Sequence, residues 1–170
     1  MEQTYHILAV DDDKRVLDTY EFALGKIAGV TVHKAANRAE AQAILKGFRH
    51  EQGLAASATG LIAVAFIDQN LGDYDPKLWN DDIKGAEGLA LVPYFKEFVS
   101  PLTRVVMLTA YAGTPADQGF LAGRDRADGY LKKGVGEGSF ASQVAQTCRE
   151  EIQRFAEAVR LYNLKLGDKQ

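Results

Sequence analysis

The sequence contains few cysteines, histidines and prolines: one, three and four, respectively, among 170 residues. The single cysteine, Cys148, cannot form a disulfide within the chain. With only three scattered histidines beside it, the sequence lacks the spacing of a zinc site. Low use of cysteine is typical of proteins in a reducing compartment, and we therefore expect a cytoplasmic protein.

Long apolar runs and an excess of basic charge are also absent. The longest unbroken apolar run is seven residues, from Leu61 to Ile67, whereas about 20 are needed to cross a bilayer. The first residues, MEQTYHILAV, lack the basic start and the small-residue cleavage site of a signal peptide. The net charge is −3, whereas binding to nucleic acid or to a membrane surface needs a strongly basic patch. We therefore expect neither DNA nor a membrane as a partner.

What the sequence has is an alternation of short apolar runs with amphipathic segments. Three of the runs, HILAV, LIAVAFI and VVML, are almost continuously apolar, as in strands that helices bury on both faces. The fivefold alternation predicts an α/β domain with a parallel sheet and helices on both faces. The predicted strands are Tyr5–Val10, Val30–Ala35, Leu61–Asp68, Arg104–Ala110 and Gly129–Lys133.

The helices between the strands are predicted from apolar residues three and four positions apart. Asn37 and Glu40 form a capping box, Thr114–Pro115 fits a helix start, and the last helix begins near Ser139. Pro93 lies inside the third helical pattern and should kink that helix or delay its start. The apolar faces comprise Val16, Tyr20, Ala23 and Ile27 in the first helix, Ala41, Ile44 and Phe48 in the second, and Leu91, Phe95, Phe98 and Val99 in the third.

Polar residues stand at the carboxyl ends of four predicted strands, which is where an open parallel sheet binds its ligands. Carboxylates that lie close together repel unless a cation joins them, and Mg²⁺ prefers such oxygen ligands. An aspartate in this setting can form an aspartyl phosphate while the cation and a lysine neutralise the transferred group. The strand-end residues are Asp11, Asp12, Asp13, Asp68, Asn70, Thr109, Lys132 and Lys133.

Four segments between residues 6 and about 134 resemble, in family order, the signature blocks of the CheY-like response regulator receiver domains: HILAVDDDKRVL, LIAVAFIDQNL, VVMLTAY and DGYLKKG. The resemblance implies the flavodoxin-like fold, a doubly wound five-stranded parallel sheet in the order 2-1-3-4-5. It also implies roles for individual residues. Asp68 would be the phosphoacceptor. The ligands of Mg²⁺, with Mn²⁺ as a substitute, would be Asp11, Asp12, Asp68 and the backbone carbonyl of Asn70. Thr109 and Lys133 would contact the phosphoryl group, and Tyr130 with Thr109 would form the switch.

Such a domain works in two-component or phosphorelay signal transduction. The resemblance implies a histidine kinase or a phosphotransfer protein as donor to Asp68, and a protein target that reads the modified state. It implies a signalling phosphoprotein, not an enzyme with a separate substrate: the chain would catalyse only phosphoryl transfer to itself and slow autodephosphorylation. No effector domain follows in the sequence, so the expected output is a protein contact through the fourth helix, the fifth strand and the final helix.

The sequence departs from the receiver pattern in three places. Gly134 follows Lys133 where receivers usually carry proline, and Gly72 stands where proline often follows the acceptor strand. The polar segment from Gly72 to Gly85, which contains Trp79, is long for a loop without structure of its own. Its acidic residues, Asp73, Asp75, Asp81 and Asp82, are expected to form a solvated face. These departures bear on kinetics and on the partner surface more than on the chemistry.

The final helix carries an apolar stripe much longer than one small sheet can cover. We expect a receiver domain over residues 1–138 and, over 139–170, an extended final helix that continues the same domain. Two alternatives stand for its outer half: it frays, or it pairs with a partner or with a second copy as a homodimer. The stripe comprises Phe140, Val144, Cys148, Ile152, Phe155, Val159, Tyr162 and Leu166.

Two other functions fit part of the same pattern. Asp11 and Asp13 flank one residue, as do the nucleophile and acid of haloacid-dehalogenase-like phosphatases, although no second acidic pair follows Lys133 and Asp68 has no role in that mechanism. The other alternative is a receiver-like binding or dimerisation module that is never phosphorylated.

Overall fold

A single parallel sheet organises the chain. The computed structural model describes residues 4–50, 53–73, 87–109, 127–133 and 139–168. Its five strands run parallel in the order β2-β1-β3-β4-β5, which confirms the predicted fold. The strands are β1 (Tyr5–Val10), β2 (Val30–Ala35), β3 (Ile62–Asp68), β4 (Arg104–Thr109) and β5 (Gly129–Lys132).

Helices cover both faces of the sheet. They are α1 (Lys14–Leu24), α2 (Arg38–Leu45), α3 (Leu91–Tyr94) and the final helix α4 (Phe140–Gly167). None of the helices in the described part of the chain combines the length and the hydropathy that a membrane span requires. The helix start predicted at Thr114–Pro115 lies outside the described residues.

The hydrophobic core consists of two layers separated by the sheet. All seven residues of β3 are buried, as expected for a central strand covered on both faces. Alternate residues of the strands point to opposite layers. One layer lies under α1 and α4 and includes Ile7, Tyr20, Phe66, Cys148 and Phe155. The other lies under α2 and α3 and includes Leu8, Val10, Leu45, Val92 and Phe95.

The predicted helix starts at Asn37 and Ser139 are present, with side-chain caps. Asn37 Oδ1 accepts a hydrogen bond from the Glu40 backbone N–H at 2.9 Å, and Glu40 Oε2 accepts one from the Ala36 N–H at 2.8 Å. The Ser139 side chain accepts from the Ser142 N–H at 3.2 Å. The predicted helix ends are wrong: α1 ends at Leu24 and α2 at Leu45. Ile27 and Phe48 pack against the core from the turns that follow.

The third helix is irregular, and one of its predicted core residues is exposed. A 3₁₀ turn (Glu87–Ala90) precedes α3 and a π-helical turn (Phe95–Val99) follows it. Pro93 lies in the first turn of α3, where proline is tolerated because a first-turn N–H has no partner within the helix. Phe98 lies within the π turn, whose wider winding departs from the α-helical spacing used for the prediction. Phe98, predicted to face the core, is 60% exposed.

The long stripe of α4 contains a charged residue that the apolar pattern missed. Glu151 is only 3% exposed. Its Oε2 lies 2.8 Å from Arg104 Nε, and its Oε1 pairs with Arg154. Arg104 in turn pairs with Asp128 at 2.9 Å. These ion pairs compensate the buried carboxylate and tie α4 to the amino-terminal ends of β4 and β5.

The outer half of α4 packs on its own chain. It is helical to Gly167, and Val159 is buried. The Asn163 side chain accepts from the Ala56 N–H and donates to the Ala56 C=O, each at 2.8 Å. Ala56 and Ala58 of the segment before β3 belong to the same core layer as Val159 in this half of the helix. Leu161 and Leu164 are 45% and 53% exposed.

Replacing Asn163 by alanine should destabilise this end of the molecule. Ala56 is buried, and the substitution leaves its N–H and C=O without the Asn163 amide. We expect a loss of about 1–3 kcal/mol in the free energy of unfolding, measured by urea denaturation. The exposed Gln153 on the same helix is the control, and Gln153→Ala should change stability by less than about 0.5 kcal/mol. Equal stabilities for the two variants would contradict the role of Asn163.

Candidate functional site

The sheet topology brings the ends of β1 and β3 together. Val10 of β1 pairs with Ile67 of β3, so Asp11 and Asp68 occupy neighbouring positions at the carboxyl edge of the sheet. One oxygen from each of Asp11, Asp12 and Asp68 lies within 4.8 Å of the others. Asp11 is fully buried, Asp68 is 7% exposed and Asp12 is exposed. The cluster thus has a buried floor and one carboxylate at its rim.

Lys133 joins the two buried carboxylates. Its Nζ lies 2.7 Å from Asp11 Oδ2 and 2.8 Å from Asp68 Oδ2. The residue directly follows β5, and its backbone N–H donates to the Thr109 carbonyl at 2.9 Å, which continues the ladder between β4 and β5. The structure therefore brings Lys133 to the acidic cluster. Lys133, and not the adjacent Lys132, is the lysine that the resemblance indicated.

Burial raises the pKa of both inner carboxylates. The pKa of Asp68 is raised to about 6: desolvation raises it most, the hydrogen bond from Lys133 lowers it, and the Asp11 charge contributes to the rise. Burial also raises the pKa of Asp11. Burial of the ammonium acts to lower the pKa of Lys133, but hydrogen bonds to Asp11 and Asp68 raise it above its usual value. One ammonium thus only partly offsets two buried carboxylates.

The donor set fits a hard divalent cation. Three carboxylate oxygens converge within 4.8 Å, with one of them open to solvent, which suits an ion that keeps several waters. Two positive charges there would lower the pKa of Asp68 and Asp11 more strongly than one ammonium does. In the described part of the chain, no other group of three or more His, Cys, Asp or Glu side chains could hold a metal ion.

Gly72 shapes the rim of the site next to Asp12. Its φ is +64°, in the left-handed region that glycine favours. A Cβ at this position would lie 3.2 Å from Asp12 Oδ2. Proline, which often stands here in receivers, holds φ near −65° and cannot make this turn. The departure from the receiver pattern therefore has a conformational reason in this chain.

A second glycine packs directly against the acceptor strand. A Cβ on Gly88 would lie 1.8 Å from the Asp68 backbone oxygen, and the Gly88 N–H donates to the Gln69 carbonyl at 2.9 Å. No side chain fits there without moving the end of β3. Gly88 was not among the predicted site residues, although a glycine inside a helical turn is costly and so indicates a close approach.

Asn70 and Asp73 hold the chain that leaves β3. Asn70 Oδ1 accepts from the Gly72 N–H at 3.1 Å, and a backbone hydrogen bond from Asn70 helps to keep Asp68 ionised by lowering its pKa. Asp73 pairs with Arg38 at 3.2 Å, at the start of α2. Asp73 is thus partly buried in an ion pair, and its predicted place on a solvated face is wrong.

Trp79 and the acidic residues Asp75, Asp81 and Asp82 lie outside the described residues, as does Gly134 after Lys133.

Thr109 and Tyr130 lie on the far side of the sheet from α4. Thr109 is the last residue of β4 and is 6% exposed. Tyr130 of β5 pairs with Met107 of β4 and packs against the core layer under α2 and α3. Because strand residues alternate, Thr109 falls on the same face as Met107 and Tyr130. The structure therefore places both predicted switch residues on one face, with Thr109 at the carboxyl edge.

Replacing Asp68 by asparagine should stabilise the cation-free fold at neutral pH. Folding raises the pKa of Asp68 from 3.8 to about 6, so its stabilising contribution is present below pH 3.8 and is lost as the pH rises through 6. In EDTA near pH 7.5, Asp68→Asn should raise the free energy of unfolding by about 1–3 kcal/mol. Urea denaturation at several pH values should also show that Asp68→Asn loses less stability between pH 3.8 and pH 6 than the original protein does.

The matched control is the exposed Asp18, whose carboxylate lies 3.5 Å from Lys34. Asp18→Asn should change stability by less than about 0.5 kcal/mol, as is usual for exposed ion pairs. A lower stability for Asp68→Asn than for the original protein would show that Lys133 outweighs burial at this site.

No family model and no curated protein matches the sequence, whereas the structure is similar to many solved receiver structures. One is a CheY-like response regulator receiver domain protein from Methanospirillum hungatei JF-1, with TM-score 0.64, 22% identity and coverage of 91% of this chain and 98% of that one. Another is a response regulator from Thermotoga maritima, with TM-score 0.60, 22% identity and coverage of 88% and 98%.

A third similar structure is a response regulator protein from Burkholderia pseudomallei with a phosphorylated aspartic acid, calcium ion and citrate. Its TM-score is 0.60 at 20% identity, and the match covers 95% of this chain and 74% of that one. These similarities, together with the strand order, confirm the expected resemblance at the level of the fold. The chain has the fold of the CheY-like response regulator receiver domains.

Proposed function

We propose that this protein is a phosphoacceptor receiver of a two-component or phosphorelay system, modified on Asp68. Residues 1–138 form the receiver, and 139–170 extend its final helix. The observation that carries the proposal is the position of Lys133 Nζ, 2.7 Å from Asp11 and 2.8 Å from Asp68, above an acidic cluster at the carboxyl edge of a parallel sheet. A nucleophile, a cation site and a fixed ammonium are what phosphoryl transfer to a carboxylate requires.

The proposed reaction forms an acyl phosphate on Asp68. A carboxylate oxygen of Asp68 attacks the phosphorus of a phosphohistidine or of a small acyl phosphate. The new O–P bond forms as the donor's P–N or P–O bond breaks, and the leaving group departs with the bonding electrons. Lys133, already beside Asp68, stays near the oxygens of the transferred group and neutralises part of their charge.

The cation expected at this site is Mg²⁺, with Mn²⁺ as a substitute. Asp11, Asp12, Asp68 and the backbone carbonyl of Asn70 are the proposed ligands. When bound, it supplies positive charge that stabilises the transferring phosphoryl group. The Burkholderia pseudomallei structure, with its phosphorylated aspartic acid and calcium ion, supports this combination of chemistry on the same fold.

The proposed output is a change of surface between two states. Thr109 stands at the carboxyl edge, and Tyr130 lies further down the same face of the sheet. A phosphoryl oxygen that draws Thr109 inward would leave space for Tyr130, and so favour one of two existing arrangements. A histidine kinase or a phosphotransfer protein is the proposed donor, and the reader is a protein target.

The geometry of Asp13 argues against the haloacid-dehalogenase alternative. Asp13 is the N-cap of α1, and its Oδ1 accepts from the Arg15 N–H at 2.8 Å. Hydrogen bonds from the Arg15 side chain and backbone lower the pKa of Asp13. A general acid needs a raised pKa, so Asp13 is poorly suited to protonate a leaving group.

Incubation with acetyl phosphate and Mg²⁺ should add the mass of one phosphoryl group to the intact protein. Asp68→Asn should abolish the addition because the nucleophilic oxygen is replaced by an amide nitrogen. Asp13→Asn is the matched control: asparagine is also a good N-cap, so this variant should fold and be phosphorylated normally. Intact-mass spectrometry or a phosphate-affinity gel measures all three proteins.

Two results would contradict the proposal. The absence of any mass shift with acetyl phosphate and with a phosphohistidine donor would favour the receiver-like module that is never phosphorylated. Multiple turnovers on p-nitrophenyl phosphate that depend on Asp13 would favour the phosphatase, since a receiver turns over slowly.

A further inference from the structure

Tyr20 is a fully buried tyrosine whose hydroxyl the fold does not use. It lies on α1, and its ring contacts Phe66 of β3 and Phe140 of α4, with centroids 5.4 and 6.0 Å apart. Within the described part of the chain, its hydroxyl oxygen is buried and has no hydrogen-bond partner. A phenylalanine would pack equally well at this position, and a buried hydroxyl without a partner costs free energy. The hydroxyl therefore calls for an explanation that packing does not supply.

The Tyr20 side chain lies on the face of the sheet that carries Asp68, near enough for the charges of Asp11 and Asp68 to act on its hydroxyl. The helix α1 begins at Lys14, directly after the aspartates of the site, and side chains on a helix lean toward its amino-terminal end. Phe66, against which the Tyr20 ring packs, lies two residues before Asp68 and thus on the same face of β3. In agreement, burial and then the charges of Asp11 and Asp68 raise the pKa of Tyr20 well above its usual value.

The cluster offers acceptors for this hydroxyl once Lys133 shifts. In the structure, Asp11 Oδ1 accepts a hydrogen bond from the Asp13 N–H at 3.0 Å, and Asp11 Oδ2 lies 2.7 Å from Lys133 Nζ. A divalent cation repels the Lys133 ammonium and competes with it for the same carboxylates. Asp11 is fully buried and so cannot turn to bulk solvent for a replacement donor.

We infer that Tyr20 is a positioning residue for the cation site. In the cation-bound state its hydroxyl donates a hydrogen bond to the Asp11 carboxylate, or to a water molecule bound to that carboxylate, and holds Asp11 in the orientation that the cation requires. The inference rests on the proposed function, because it assigns Tyr20 to the cation site of that function. Such support for a ligating carboxylate typically affects metal affinity about tenfold or more.

The test compares Tyr20→Phe with Tyr5→Phe by calorimetric titration of Mn²⁺ and by melting in EDTA. Tyr5 is a half-buried tyrosine at the opposite end of β1, packed on Phe155, and is the matched control. Tyr20→Phe should weaken Mn²⁺ binding about tenfold or more, while its melting temperature in EDTA equals or exceeds that of the original protein. Tyr5→Phe should leave the Mn²⁺ affinity unchanged.

Two outcomes would overturn the inference alone. Tyr20→Phe could bind Mn²⁺ within about twofold of the original protein, or it could melt well below it in EDTA, which would give the hydroxyl a purely structural role. If the original protein itself binds no Mn²⁺, the proposed function falls and the inference with it. The titration of the unmodified chain therefore separates the two failures.

Discussion

The contact on which the rest of the site depends is the bridge from Lys133 to the buried carboxylates of Asp11 and Asp68. Two adjacent carboxylates at the ends of buried strands are unfavourable, and the raised pKa of each shows that one ammonium does not fully compensate them. The fold tolerates this cost at the carboxyl edge of the sheet, where a divalent cation would relieve it. Such a local conflict between stability and chemistry is characteristic of functional sites.

The departures from a minimal receiver lie at the two ends of the sheet and serve different purposes. At the carboxyl edge, Gly72 lets the backbone pass close to Asp12, and Gly88 lets it pass close to Asp68. The connection that follows β3 therefore begins and ends in contact with the site. At the opposite edge, the segment around Ala56 and the outer half of α4 complete each other through Asn163. The Ala56 segment covers the inner side of the outer half of α4. A partner of this helix would therefore have to bind its exposed side, where Leu161 and Leu164 lie.

Three residues show that tertiary contacts decide the environment of a side chain that helical spacing alone does not predict. Glu151 lies in an otherwise apolar stripe because Arg104 and Arg154 meet it there. Tyr20 lies in the core as its spacing predicts, yet its buried hydroxyl has no hydrogen-bond partner in the described part of the chain. Phe98 follows the apolar spacing of its helix and is nevertheless exposed, because the π turn after Pro93 changes the direction of the side chains. Spacing identifies an element well and identifies the environment of each side chain less well.

The sequence by itself determined the strands, their parallel arrangement and the acids and the lysine at their ends, because nearly continuous apolar runs and strand-end polar residues are local signals. It could not determine which of two adjacent lysines reaches the acids without the resemblance, since that depends on where β5 ends against β4. Only the tertiary structure decided that α4 packs on the Ala56 segment, that Gly88 touches the Asp68 carbonyl and that Asp73 meets Arg38. These contacts join residues far apart in the chain, and no local pattern of hydrophobicity or capping encodes such distances.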